Sequence, residues 1–240
     1  MHYQIALISA LHKSLPDDLV YDVLSFLPYS RMDNDSIRSA TNMFYRHQRD
    51  EMNLMYGPMC NWITTDVTDM NRLFHNCNFQ QESDDLDDIT QWDTSNVRDM
   101  SQMFMFCQFN QPIGNWDTSN VERMNGMFYD STSFNQPIGN WITSNVVDME
   151  SMFCGALLFN QYIGQWDTSN VESMASMFYG AKAFNQPLLL WNTSKVEKMC
   201  CMFYSATAFS QPLGNWNLCK HHRTCCSVFL YRRTMVEKKT

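Results

Sequence analysis

The sequence predicts an α/β solenoid of about six 25-residue coils, each a short strand plus a helical turn, behind a small helical N-terminal head. Three observations predict it. Tryptophan stands at positions 62, 92, 116, 141, 166, 191 and 216 and nowhere else; after a first interval of 30 the spacings are 24, 25, 25, 25 and 25. Set in register from each tryptophan, the unit reads W-D-T-S-N-V-x-x-M-x-x-M-F, then a variable stretch, then F-N-Q-P-I-G-N. The bias toward 19 Met, 16 Phe and 7 Trp follows from that unit, because eleven of the Met fill its two Met slots. A unit this small cannot bury its own apolar face, so it must stack on copies of itself.

Each position of the coil has a physical reading. From Val121, the apolar Met124, Met127 and Phe128 lie at i+3, i+6 and i+7, one face of a helix or of successive helical turns. Ser119 and Asn120 precede it as N-terminal caps. Upstream, Ile113, Trp116 and Thr118 fit an extended segment entered through Pro112 and Gly114. Phe134 and Asn135 close the return loop. Strands stacked roughly 4.8 Å apart would carry six coils over about 29 Å. Methionine suits the interior because a flexible thioether fills irregular gaps between coils. A tryptophan ladder could instead be a stacking platform for sugars or bases, and the Asn-Gln pairs a grip on polar ligands. A residue type present in every coil is explained more simply by stacking geometry.

The ends depart from the frame. Residues 1–35 form the head: Leu15, Leu19, Val23, Leu24 and Leu27 have helical periodicity, opened by Pro16, Asp17 and Asp18 and stopped by Pro28. In residues 36–60, Ile37, Ala40, Met43 and Phe44 occupy the Val, Met, Met and Phe slots, which predicts a degenerate first coil. Residues 61–218 are the regular repeats. Residues 219–240 predict a degenerate capping coil and tail, since His221, Thr224 and Ser227 replace apolar slots there. The cluster Cys219, His221, His222, Cys225 and Cys226 could hold zinc, but its cysteine pair repeats Cys200 and Cys201 at a distance of 25, so no metal is assigned to it. The long first interval contains an acidic insertion, Gln80 to Gln91; a solvated loop is the simpler reading of its core, 82–88, and calcium or a basic partner the alternative.

Composition excludes several classes. With 45% apolar residues the 240-residue chain can bury a core, and no apolar run is long enough to span a bilayer. A net charge of −8 argues against non-specific nucleic-acid binding. The apolar stretch Ile5 to Leu11 lacks the basic flank of a secretory signal. Nine cysteines, odd in number and scattered, fit a reducing compartment. The expected location is therefore intracellular, cytoplasmic or nuclear, with cell-surface display or secretion as the alternative. No nucleophile–base pair, phosphate loop or metal motif stands out, and no histidine occupies a fixed slot of the regular repeats. We expect no enzyme and no cofactor, but a scaffold that binds a protein partner.

Two resemblances sharpen this. The repeat W-D-x-S-N-V-x-x-M-x-x-M-F with F-N-Q-P, over residues 61 to about 218, resembles the BspA-type leucine-rich-repeat surface proteins, also known from mycoplasma and listeria lipoproteins. That resemblance implies a leucine-rich-repeat-like solenoid and adhesion to host or matrix proteins. The segment LPDDLVYDVLSFLP is similar to the opening of an F-box. It implies that Leu15, Pro16, Leu19, Val23, Leu24, Leu27 and Pro28 dock a Skp1-type adaptor of a ubiquitin ligase, leaving the repeats to capture substrate. The candidate partner contacts on the solenoid are positions that vary or point outward. On the strands these are Asp93, Asp117, Ile142, Asp167 and Asn192; on the helical face they are Arg98, Asp99, Glu122, Arg123, Asp148, Glu150, Glu172 and Lys198.

Overall fold

A computed structural model describes residues 30–46, 48–77, 88–214 and 216. The head residues 1–29, most of the acidic insertion and the C-terminal segment from 217 lie outside the described residues.

The chain enters through β1 (Ser30–Arg31), which pairs in parallel with β2 (Trp62–Ile63), Ser30 opposite Trp62. Between them lie α1 (Asn34–Tyr45), α2 (Arg49–Tyr56) and a 3₁₀ turn, Met59–Asn61. Asp33 starts α1 with a reciprocal cap: its carboxylate accepts from the Ser36 backbone N–H, and the Ser36 hydroxyl accepts from the Asp33 N–H. The predicted degenerate first coil is thus a true helix over Asn34–Tyr45, although its frame residues Ile37 and Ala40 are fully buried. A helix satisfies its own backbone, so it can close a coil edge only with side chains. Asn34 Oδ1 accepts from the N–H groups of Thr68 and Asp69 at 2.9 and 3.1 Å. Arg38 donates to the Asn71 carbonyl at 2.8 Å, and the Tyr45 hydroxyl to that of Leu73 at 2.8 Å.

From Thr64 onward the described chain is a succession of turns, with no α-helix and no strand longer than one bridge. The expected helical piece is absent because alternate backbone N–H groups leave the coil. Those of Met100, Gln102, Phe104 and Phe106 donate to Arg123, Asn125, Met127 and Tyr129 of the next coil, at 3.0, 2.9, 2.9 and 2.7 Å. The intervening ones close local turns, such as Met103 to the Met100 carbonyl at 3.3 Å. Two left-handed residues per coil make this possible, for example Gln102 and Phe106, both at φ 56°. The extended pairing also sits elsewhere than expected. Parallel bridges join Asp69, Asp99, Arg123, Asp148, Ser173 and Lys198, not the tryptophan segments that follow Trp62–Ile63.

At the tryptophans, side chains tie the coils instead. From Trp92 onward each indole N–H donates to a carbonyl one coil back, Trp141 to Ile113 and Trp166 to Ile138, both at 3.1 Å. Buried Thr hydroxyls donate forward, Thr118 to the Ile142 carbonyl at 2.9 Å. The Asn-Gln pairs form a ladder: Asn135 Oδ1 accepts from the Asn160 N–H at 3.0 Å, and Gln161 Nε2 donates to the Asn135 carbonyl at 3.0 Å. The Val, Met and Phe slots are buried throughout the described coils.

Equivalent rings spread apart from one side of the coil to the other. Neighbours are 5.6–5.7 Å apart in the column from Phe104 to Phe203. They are 5.9 Å apart from Phe134 to Phe209 and 6.0–6.4 Å from Trp141 to Trp216. Bridged strands lie about 4.8 Å apart. Equal translations would give equal spacings everywhere, so successive coils also rotate relative to one another.

Candidate binding surface

The four Asx candidates beside the tryptophans cap turns. Asp93, Asp117, Asp167 and Asn192 accept through Oδ1 from the backbone N–H of Ser95, Ser119, Ser169 and Ser194 at 2.9, 2.9, 2.9 and 3.0 Å. Their own carbonyls accept the Thr hydroxyls of the preceding coils. Hydroxyl and backbone bonds from Ser119 hold the Asp117 carboxyl below the usual range; the backbone and hydroxyl of Ser169 do the same for Asp167. Ile142 has no acceptor to offer its turn and stands 52% exposed. The predicted caps act differently: Asn120 Nδ2 donates across the stack to the Ser95 carbonyl at 2.7 Å.

The candidates expected on a helical face lie instead along the bridge edge. The structure brings Arg98 to Glu122 and Arg123 to Asp99, each at 2.9 Å. Burial raises the Asp99 carboxyl, but bonds from Ser101 and Arg123 outweigh it and leave the group below its ordinary value. Asp148, half-buried, goes the other way: burial raises it despite the Glu150 N–H bonded to its Oδ1 at 2.9 Å. Glu150 accepts from the Ser173 hydroxyl at 3.0 Å. Glu172 and Lys198 are exposed and belong to no ion pair among the described residues.

Sequence reasoning passed over two sets of residues. One is a ridge just after the second Met-Phe slots: His75, Phe106, Tyr129, Tyr179 and Tyr204. Tyr179 and Tyr204 stack at 5.0 Å, and Phe106 meets Tyr129 edge to face at 5.4 Å. The recurring M-F-Y was the available signal. Tyr179 and Tyr204 each cover one face of the other, which removes those faces from any sugar-stacking platform. The other set comprises apolar departures from F-N-Q-P-I-G-N and its approach: Leu157, Leu158, Tyr162, Leu189 and Leu190, all exposed. Tyr162 stands where other coils have Pro, and Leu189 and Leu190 where they have Gly and Asn or Gln.

Leu15, Pro16, Leu19, Val23, Leu24, Leu27 and Pro28 lie outside the described residues, as do 82–87 and the Cys219–Cys226 cluster. Among the described residues, no three His, Cys, Asp or Glu side chains gather as a metal site, and no helix is long and apolar enough to cross a membrane.

The frame that builds this surface is also what a family model detects: DUF285, a Mycoplasma protein of unknown function, matches residues 38–156 and 135–238. The chain belongs to the DUF285 family. The two DUF285 matches overlap over residues 135–156, as tandem coils do when a model aligns to them in two registers. The first match begins inside α1, so the DUF285 pattern includes most of the capping helix as well as the coils. No curated protein and no solved structure matches the chain.

Proposed function

We propose that this DUF285 protein is a non-enzymatic scaffold: a leucine-rich-repeat-like solenoid that binds a protein partner through its C-terminal half. One asymmetry carries the reading. Among the described residues every ion pair lies between positions 31 and 123, whereas nine of the twelve large exposed apolar side chains lie between 142 and 204. The N-terminal half spends its charges on itself. The C-terminal half exposes Leu158, Tyr162, Leu189 and Leu190, and on its bridge edge Glu172 and Lys198 join no ion pair among the described residues, a combination that stacking does not need.

The experiment restores the frame at the apolar positions, with Tyr162→Pro, Leu189→Gly and Leu190→Asn combined. Cross-linking in the native cell should lose the partner captured by the natural protein while the melting temperature stays put. Equal capture by both proteins removes the reading.

Partner identity follows from two arms. An adaptor of the Skp1 type would engage LPDDLVYDVLSFLP, and titration of the full chain with such an adaptor tests this directly. Membership of a Mycoplasma family favours the second arm, a surface or secreted adhesin of the BspA type. Protease treatment of intact cells separates them: an adhesin is destroyed and an intracellular receptor survives.

A further inference from the structure

Cys77 and Cys107 occupy one slot in adjacent coils, three residues after Phe74 and Phe104. Phe74 and Phe104 stack at 5.7 Å, and the N–H groups of Phe74 and Asn76 donate to the Met103 and Met105 carbonyls at 2.8 and 2.6 Å. Those bonds hold the register up to Asn76 on one coil and Met105 on the next. Cross-coil spacing of about 5–6 Å falls inside the Cα separation that a disulfide spans. Both thiols are buried. The phenol of Tyr45, brought over the first coil by α1 and bonded to the Leu73 carbonyl at 2.8 Å, is pushed up by burial and then by Cys77 and Cys107, in keeping with that register.

We propose that Cys77 and Cys107 are a dithiol built to close into a disulfide between the first two coils, across the one interval lengthened to 30 residues. Closure balances as thiol–disulfide exchange. Each thiol releases a proton, the two sulfurs bond, and an oxidant of the glutathione-disulfide class takes the electron pair and is cleaved to two thiols. The buried sulfurs meet the oxidant during folding or when the coils open locally. The bond clamps the first two coils in an oxidising compartment and is absent in a reducing one. This holds whichever partner the surface binds.

The next coils occupy the same slot with Ser131 and Ala156, both buried, so Cys107→Ser and Cys107→Ala should fold. The test is refolding of the full chain in a glutathione redox buffer, thiol blocking, and trypsin digestion. Cutting after Arg72, Arg98 and Arg123 puts the two cysteines on separate peptides. The expected result is one dominant linked pair, residues 73–98 with 99–123, lost on reduction. The oxidised protein should melt higher than the reduced one, a difference that both Cys107 variants abolish. Blocked thiols at 77 and 107 in the oxidised sample, or links dominated by other cysteines, would overturn the proposal.

Discussion

The indole nitrogen of Trp141 donates to the carbonyl oxygen of Ile113 at 3.1 Å, across the boundary between two coils. The donor is 3% exposed and its acceptor lies one coil back, so the bond exists only when the coils stack. Trp141→Phe removes the N–H and leaves a buried carbonyl without this donor, at a cost of about 1–3 kcal/mol. Trp141→Ala adds a cavity and raises the loss to about 3–5 kcal/mol. Urea titration of the two variants checks the order; an unchanged stability in Trp141→Phe would mean that the bond contributes nothing.

Ile142 is the natural defect in the column of turn caps. Asp117 and Asp167 occupy its slot in the adjacent coils and accept from the N–H two residues on. Ile142→Asp supplies that acceptor to Ser144 and removes an exposed apolar side chain, so it should stabilise by about 0.5–1 kcal/mol. Chemical denaturation reads the sign.

The same caps set part of the acid response. Asp117 and Asp167 titrate below their unfolded value, so the folded state holds fewer protons on them. Their stabilisation is fully present above the unfolded carboxylate value of about 3.9 and is lost as pH falls through the folded values. Replacing both with Asn, which caps the equivalent turn at Asn192, should flatten the fall in melting temperature between about pH 5 and pH 3. Asp148 has the opposite sign, being raised by burial. Its cost appears as pH rises through its folded value, so Asp148→Asn should raise the melting temperature at neutral pH and leave it unchanged in acid.

Gly155 sits at φ 70°, and a Cβ there would run into the Asp130 carboxylate of the preceding coil. Gly155→Ala should cost about 1–2 kcal/mol from the left-handed backbone alone, with more from the collision. Adding Asp130→Gly removes the obstacle and should recover the second part only, a non-additivity that a double-mutant cycle measures.

The inward half of each coil was legible because burial demands the same residue type every time. Val121, Met124, Met127 and Phe128 are all fully buried in the slots the spacing marks. The local conformation was not legible. The spacing i, i+3, i+6, i+7 suits a helix, yet Gln102 and Phe106 adopt left-handed backbone and alternate N–H groups bond to the next coil. Periodicity records which side chains face inward, not where the backbone hydrogen bonds go. The same limit applies to α1, whose frame residues Ile37 and Ala40 face the core from a helix that satisfies its own backbone.

By itself the sequence determined the period, the repeating frame and the set of side chains that must be kept from water, since these depend on composition and spacing alone. Tertiary stacking decided the rest. It turned Asp93 and its counterparts into turn caps, paired Arg98 with Glu122, and left Tyr162, Leu189 and Leu190 outside. The physical reason is that a coil has no partner for its backbone or its edge until a neighbour arrives, so those choices are made between coils and not within one.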